Sequence, residues 1–174
     1  EGDLILYISS SQNLNINKYL NKTLIAGEII TLKGPYLDKN IPIFLNLPTL
    51  FLSNNTHVIK TLNIIRQLLR TGFKEPIMFI SNFVDTKSII LMEEMHKLQF
   101  EYKNFTYKIT LLKKESSASS KFLLGTISIN INKIFPDLSS HFIYMDCNTD
   151  FLHETKKKLI ELGANDESIF IPIN

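Results

Sequence analysis

Cysteine, arginine and glycine are scarce in this sequence. Cys147 is the only cysteine among 174 residues, so no disulfide can form within the chain, and this composition fits a reducing compartment such as the cytoplasm. Arg66 and Arg70 are the only arginines, and six residues are glycine. The formal net charge is +2, with lysines spread along the chain. This balance gives no support to nucleic-acid binding.

Long apolar runs are also missing. No run approaches the roughly 20 residues that a membrane span needs, and the first residues lack the zones of a signal peptide. The four histidines are not spaced as metal ligands, either with one another or with Cys147. We therefore expect no membrane span and no metal site, whereas a hydrophobic content of 44% allows a sizeable core.

The pattern of the chain changes at about residue 47. The earlier part is β-rich: DLILYI and GEIITLKGPYL are typical of strands, and LNINKYL of a short helical turn. The later part alternates near-continuous apolar strands with helices. The predicted strands are PTLFLS, PIMFIS, FTYKITLL, HFIYMD and SIFIPI; the predicted helices run from about 57 to 71, 87 to 99 and 151 to 162, with one short turn at INKIF.

This alternation predicts an α/β domain over residues 47–174, built on a five-stranded parallel sheet that is doubly wound, with helices on both faces. Residues 1–46 are too few to close a small β-barrel by themselves. We interpret them as the C-terminal part of such a barrel, completed by sequence that precedes residue 1 or by another chain.

Three phrases carry a family resemblance. AGEIITLKGPYL is similar to a phrase that closes an FAD-binding barrel, LFLSNNTHVIK to the glycine-rich opening of a pyridine-nucleotide domain, and YMDCNTDF to the family's Y-x-C-G-P-P-x-M. Together with the element order, they resemble the ferredoxin-NADP reductase and cytochrome b5 reductase superfamily. The resemblance implies an FAD-binding-like barrel followed by an NAD(P)-binding-like domain, and it spans nearly the whole chain.

The glycine-rich turn of the family is replaced in this chain. The family's Gly-Gly-Thr-Gly corresponds to Asn54, Asn55, Thr56 and His57, so that only Thr56 is kept. Glycine serves in such turns because it permits positive φ and a close approach of the ligand. Asparagine tolerates positive φ, so we expect the turn to form, with its Asn and Thr side chains capping the following helix.

The other positions that face ligands in the family are altered as well. The family's glycine and serine of the flavin motif correspond to Leu14 and Asn17, and Phe83 stands where an arginine often holds a 2′-phosphate. A gapless match places Asp146 on the family's cysteine and Cys147 on its glycine. Asn174 replaces the usual terminal aromatic residue, whereas all six glycines of the chain occupy structural turns and helix ends.

These departures favour a degenerate reductase-like module without catalytic residues or cofactors. Such a module would act in protein interaction or scaffolding within a larger complex, with a protein partner that the sequence does not identify. The alternative is an active flavoprotein reductase that uses FAD and NAD(P)H through divergent loops. In either case the predicted vestigial cleft consists of Asn17, Asn54, Asn55, Thr56, His57 and Cys147.

Several residues have both a functional and a structural interpretation. His57 is either a base or phosphate contact, or a surface or capping residue. Cys147 either stands beside a nicotinamide ring or is an inert buried thiol. Asp146 and Asp150 are candidate acid–base groups, but Asp150 is more simply the N-cap of the helix that follows. Arg66 and Arg70, one helical turn apart, either form a basic patch with Lys60 or simply belong to a solvated helix face.

Overall fold

A computed structural model describes residues 18–20, 22–23, 25–28, 42, 44, 46–113 and 121–172. The chain divides into two units, Glu1–Lys39 and Asn40–Asn174. Within the predicted turn LNINKYL, the described residues Lys18 to Leu20 are helical. The predicted strand DLILYI lies outside the described residues, and so does GEIITLKGPYL apart from Gly27 and Glu28. The predicted domain boundary after residue 46 stays a prediction.

One six-stranded sheet forms the centre of the second unit. Its strand order is β4-β3-β2-β1-β5-β6, and every neighbouring pair is parallel. The predicted doubly wound α/β architecture is confirmed. The sixth strand, β4, was not predicted because two residues are too short to show a pattern. The strands are β1 (Thr49–Asn54), β2 (Ile77–Phe83), β3 (Phe105–Leu111), β4 (Leu123–Leu124), β5 (Phe142–Asp146) and β6 (Ile169–Phe170).

Helices connect these strands and cover both faces of the sheet. They are α1 (His57–Arg70), α2 (Met92–Glu101), α3 (Ile127–Ile134) and α4 (Thr149–Glu161), with 3-10 turns at Thr86–Ser88 and Asp166–Ser168. Val58, Leu62 and Ile65 of α1 pack on one face of the sheet. Ile131 of α3 and Leu159 of α4 pack on the other. Apolar residues on alternate faces of buried strands thus give two cores, one on each side of the sheet.

Two helical segments differ from their predicted bounds. The helix predicted over 87–99 is instead a 3-10 turn followed by α2. The Asp85 carboxylate caps the turn by accepting a hydrogen bond from the Ser88 amide at 2.9 Å, and Leu91 then takes a left-handed conformation with φ 57°. The short turn predicted at INKIF is the second half of α3, which begins earlier because the Thr126 hydroxyl caps its first turn.

The sheet contains one topological switch point. From β1 the chain builds outward through β2, β3 and β4 on one side, and through β5 and β6 on the other. In open parallel sheets, ligands bind outside the carboxyl ends of the strands where the order reverses. The turns that follow β1 and β5 are therefore the place where a functional site is expected.

Candidate functional site

The turns after β1 and β5 are joined by a side chain. The side-chain oxygen of Asn54, at the end of β1, accepts a hydrogen bond from the backbone amide of Asn148 at 3.1 Å. Asn148 is the N-cap of α4, and its own side chain makes no capping bond there. Asn54 thus satisfies an amide at the start of a distant helix.

The turn before α1 keeps the backbone conformation of a glycine turn. Asn55 has φ 49°, in the left-handed region that asparagine tolerates, and its amide donates to the Asn82 carbonyl at 3.1 Å. The predicted capping is wrong, however: Thr56 is the N-cap, but no side-chain hydrogen bond caps the start of α1. The reason is that Asn54 is directed toward the neighbouring turn instead.

His57 and Asp146 form the central polar contact of the site. His57 Nδ1 lies 2.6 Å from Asp146 Oδ1, and the two side chains are 26% and 1% exposed, respectively. Lys60 Nζ lies 3.9 Å from Asp146 Oδ2. The first turn of α1 contains no acidic residue. A buried carboxylate is thus held between an imidazole and an ammonium group that are both supplied by α1.

Cys147 lies just behind this pair and is inaccessible. Its side chain is 5% exposed, and its Sγ lies 3.7 Å from the Leu52 carbonyl. Burial, with a smaller contribution from the Asp146 carboxylate, raises the pKa of the Cys147 thiol far above its usual range. A neutral, buried thiol is a poor nucleophile, which favours the structural interpretation of this cysteine.

A row of buried polar side chains lies beneath the first turns of α1. Ser53 pairs in register with Ser81 on β2 and with Asp146 on β5, on the face that packs against α1. Thr61 of α1 is also fully buried. Among the described residues, the Oγ atoms of Ser53 and Ser81, Thr61 Oγ1 and Asp146 Oδ2 have no hydrogen-bond partner. The site therefore has a polar floor whose hydrogen-bonding capacity is not used.

The structure places four of the predicted cleft residues, Asn54, Asn55, Thr56 and His57, in one turn. Cys147 follows Asp146 at the end of β5, but its side chain packs into the core on the other face of the sheet. Asn17 lies outside the described residues. Leu14 and Asn174 also lie outside them. Phe83 is buried at the end of β2. Asn148, and the pairing of His57 with Asp146, were missed by the sequence analysis. In a doubly wound sheet the strand order reverses beside the first strand, and this rule is the signal that could have found both.

The remaining candidate groups have structural partners or other positions. The prediction that Asp150 is the N-cap of α4 is wrong. The helix begins at Thr149, two residues before its predicted start, so Asp150 lies in its first turn. Arg66 forms an ion pair with Glu94 of α2. Two surface cavities, of about 380 and 330 Å³, lie elsewhere: one is lined by residues of α2 and β3, the other by residues of α3 and α4.

Within the described part of the chain, no helix is long and apolar enough to cross a membrane. No group of three or more His, Cys, Asp or Glu side chains in that part could hold a metal ion.

Comparisons with solved structures give the same fold. A flavohem-like FAD/NAD-binding domain of nitric oxide dioxygenase from Vibrio cholerae matches with a TM-score of 0.76 at 15% identity, over 90% of this chain and 62% of that one. The cytochrome P450 reductase of Amycolatopsis matches with 0.75 at 12% identity, over 90% and 47%. A ferredoxin-NADP⁺ reductase from Neisseria gonorrhoeae with bound FAD and NADP matches with 0.58 at 15% identity, over 71% and 55%.

The predicted resemblance to the ferredoxin-NADP reductase superfamily is confirmed at the level of fold. The chain spans about half to three-fifths of the length of these solved chains. No protein-family model matches the sequence, and no curated protein does.

The prediction that the module has no cofactor is wrong. The solved proteins that share this fold include an FAD/NAD-binding domain and a reductase that contains FAD and NADP. The fold is thus one that binds flavin and nicotinamide cofactors in those proteins, so the altered turn is no ground for expecting none. The prediction had relied on the missing glycines. Yet the turn after β1 keeps a left-handed residue at Asn55, and α1 begins without a side-chain cap.

Proposed function

We propose that this chain is the nucleotide-binding part of a reductase-like module and that the turns after β1 and β5 bind a nicotinamide dinucleotide. The observation that carries the proposal is the start of α1 at the switch point of the sheet. This helix end has no side-chain cap and no acidic residue in its first turn, and it carries His57 and Lys60. A helix N-terminus with nearby cations attracts the phosphates of a nucleotide.

The residues at the site fit such a ligand. Thr56 and His57 would offer backbone amides and side-chain donors to the diphosphate, and Asn148 marks the start of a second helix at the same edge of the sheet. The unpaired oxygens of the polar floor are buried, and they make the surroundings of this helix start polar. A bound nicotinamide would supply a hydride to a flavin. The predicted flavin contact Asn17 lies outside the described residues.

Titration of the 174-residue chain with NADH and NADPH tests this proposal. In two-dimensional NMR, we expect the amide signals of residues 54–57 and 148–150 to shift with saturation. A matched control is Lys157→Met on α4, away from the switch point, which should leave the affinity unchanged. If saturating NADH and NADPH both leave the amide spectrum of the folded chain unchanged, the proposal is wrong.

A second candidate function is a role in protein interaction or scaffolding without hydride transfer. It is favoured by the two side-chain bonds that join the turns, Asn54 to Asn148 and His57 to Asp146, because both occupy groups that face the nucleotide-binding edge. Turnover separates the candidates. NADH oxidation by FAD-loaded protein with an artificial electron acceptor supports a reductase. Nucleotide binding without turnover, together with capture of a protein partner, supports the second role.

A further inference from the structure

The short contact between His57 and Asp146 fixes how the imidazole can act. Asp146 is 1% exposed, and its Oδ1 lies 2.6 Å from His57 Nδ1. A carboxylate accepts hydrogen bonds and cannot donate them, so Nδ1 carries the proton in this contact. The second ring nitrogen, Nε2, lies on the opposite edge of the ring, and it donates a hydrogen bond to an anion when the imidazole carries a second proton. The His57 side chain is 26% exposed, so part of the ring is accessible to a ligand.

The charges around the pair decide what His57 can attract. The buried carboxylate lies between the imidazole and the Lys60 ammonium, whose Nζ is 3.9 Å from Asp146 Oδ2. Cys147, the neighbouring group on the β5 side, remains a neutral thiol because burial raises its pKa. Asp150 of α4 is the acidic residue in the first turn of the other helix. The α1 side of the site is thus the cationic side, and it is the side suited to an anion.

The unused hydrogen-bonding atoms beneath α1 provide an independent observation. Ser53, Ser81 and Thr61 are completely buried, and their hydroxyls have no partner among the described residues. An apolar floor would pack well without these groups, since buried hydroxyls without partners cost free energy. Unpaired hydroxyls beneath a helix start that carries Lys60 favour a polar ligand over an apolar one at this edge of the sheet.

The geometry points to His57, oriented by Asp146, as the side chain that binds the diphosphate of the dinucleotide at the switch point. It takes over part of the role that backbone amides have in a glycine-rich turn. Asp146 is a positioning residue, because it acts through the imidazole and does not touch the ligand. This inference rests on the proposed function, but inorganic pyrophosphate tests the anion contact separately.

The first experiment compares His57→Gln with the unmodified chain at pH 6. We expect His57→Gln to weaken binding of both pyrophosphate and NADH by about tenfold or more, the usual effect of losing a hydrogen bond to a charged group. His57→Lys, which places an ammonium group at this position, should recover part of the affinity. His153→Gln on α4 makes the same change at an exposed histidine, and it should leave the affinity unaltered.

The second experiment asks whether Asp146 acts through His57. With His57 present, Asp146→Asn should weaken pyrophosphate binding, because the ring loses its fixed orientation. In the His57→Gln background the same change should leave binding unchanged or strengthen it, because the carboxylate then only repels the anion. A two-bond ¹H–¹⁵N spectrum of the free protein, recorded at a pH where the imidazole is neutral, should show a proton on Nδ1 of His57 in the unmodified chain and a mixture of tautomers in Asp146→Asn.

The outcomes separate this inference from the proposed function. If NADH binds equally well to His57→Gln, the inference is wrong and the proposed function stands. If pyrophosphate binds through His57 but NADH does not bind, the anion contact stands and the proposed function fails. If neither probe binds to the folded chain, both are wrong. A loss of affinity of equal size for Asp146→Asn in both backgrounds would overturn the role assigned to Asp146.

Discussion

The Asn54 side chain accepts a hydrogen bond from the Asn148 amide at 3.1 Å, across 94 positions of sequence. It is a capping contact from a residue that is distant in sequence: Asn54, at the end of β1, accepts the hydrogen bond of an amide at the start of α4. The turn before α1, which Asn54 was expected to cap, is left without a side-chain cap. One asparagine therefore both stabilises α4 and leaves the N-terminus of α1 open.

Replacing Asn54 with alanine should destabilise the domain. The Asn148 amide would lose its acceptor, and the loss of a capping bond costs about 1 kcal/mol of unfolding free energy. Urea denaturation measures this cost, and hydrogen exchange at the first turn of α4 should accelerate. Asn54→Asp keeps the acceptor and adds a charge that is favourable at a helix N-terminus, so its stability should stay close to that of the unmodified chain. Equal stability of the alanine and aspartate variants would contradict this account.

Two helix-ending glycines provide a matched pair for a second prediction. Gly163 and Gly72 have similar positive φ angles, 89° and 87°. A Cβ at Gly163 would lie 2.8 Å from Asp137 Oδ1, whereas a Cβ at Gly72 would meet nothing within 4 Å. Both alanine variants incur backbone strain of about 1 kcal/mol or more.

Gly163→Ala should cost more than Gly72→Ala, because the Asp137 side chain must also move away from its hydrogen bonds with Ser139. Thermal unfolding of the two variants side by side measures the difference. Asp137→Ala combined with Gly163→Ala should bring the cost of the glycine change down to that at Gly72. If Gly72→Ala proves the more destabilising of the two, the proposed clash at Gly163 has no effect.

The central part of the fold was predictable from the sequence because its strands are buried on both faces. The segments LFLS, IMFIS and FIYMD are near-continuous apolar runs, and they became β1, β2 and β5. The elements that were predicted wrongly or missed are set by local hydrogen bonds or are too short to show a pattern. Asp85 and Leu91 divide one predicted helix into a 3-10 turn and α2, and a two-residue edge strand leaves no periodicity to detect.

The site was predictable in position but not in its contacts. The turn at Asn54 to His57 was identified as the ligand-facing edge, and the structure places Asn148 and Asp146 beside it. The hydrogen-bond partners in the site depend on the adjacency of β1 and β5. These strands bring together residues that are more than 80 positions apart in sequence. Propensity made Thr56 and Asn54 appear as caps for α1, but a tertiary partner outcompeted the local one.

The reactivity of Cys147 should depend on unfolding. Burial raises the pKa of its thiol far above the usual range, so the folded protein should resist iodoacetamide at pH 8 while the denatured chain reacts readily. Mass spectrometry of the alkylated protein across a urea gradient measures this. Labelling should follow the unfolding transition, and rapid labelling of the folded chain would contradict the burial.

The same thiol should make the protein less stable at high pH. Its folded pKa lies above the unfolded value of about 9, so the unfolded chain releases its proton first as the pH rises. Stability from this group is therefore fully present below about pH 9 and is lost progressively above it. Cys147→Ala removes the titration and should flatten the decline in urea midpoint between pH 8.5 and 10, although it also creates a small cavity.

His141 should have the opposite effect, on the acid side. Burial lowers the pKa of its imidazole, and the Asp137 carboxylate only partly opposes this. Its ring packs edge-on against Phe135, with centroids 5.2 Å apart. Because the folded pKa lies below the unfolded value of about 6.5, the unfolded chain binds the proton first. The stability from His141 is thus present above about pH 6.5 and is lost as the pH falls through the folded pKa.

His141→Phe keeps an aromatic ring against Phe135 and removes the titration. We expect the urea midpoint of this variant to fall less than that of the unmodified chain between pH 7 and pH 5, with an unchanged slope of unfolding free energy against urea. Titration of Asp137 does not contribute to the change in stability between pH 7 and pH 5. Hydrogen bonds from Ser139 lower the pKa of its carboxyl below the usual 3.8, so its contribution is lost only under more acidic conditions. An identical loss in the two proteins would show that His141 is not the group responsible.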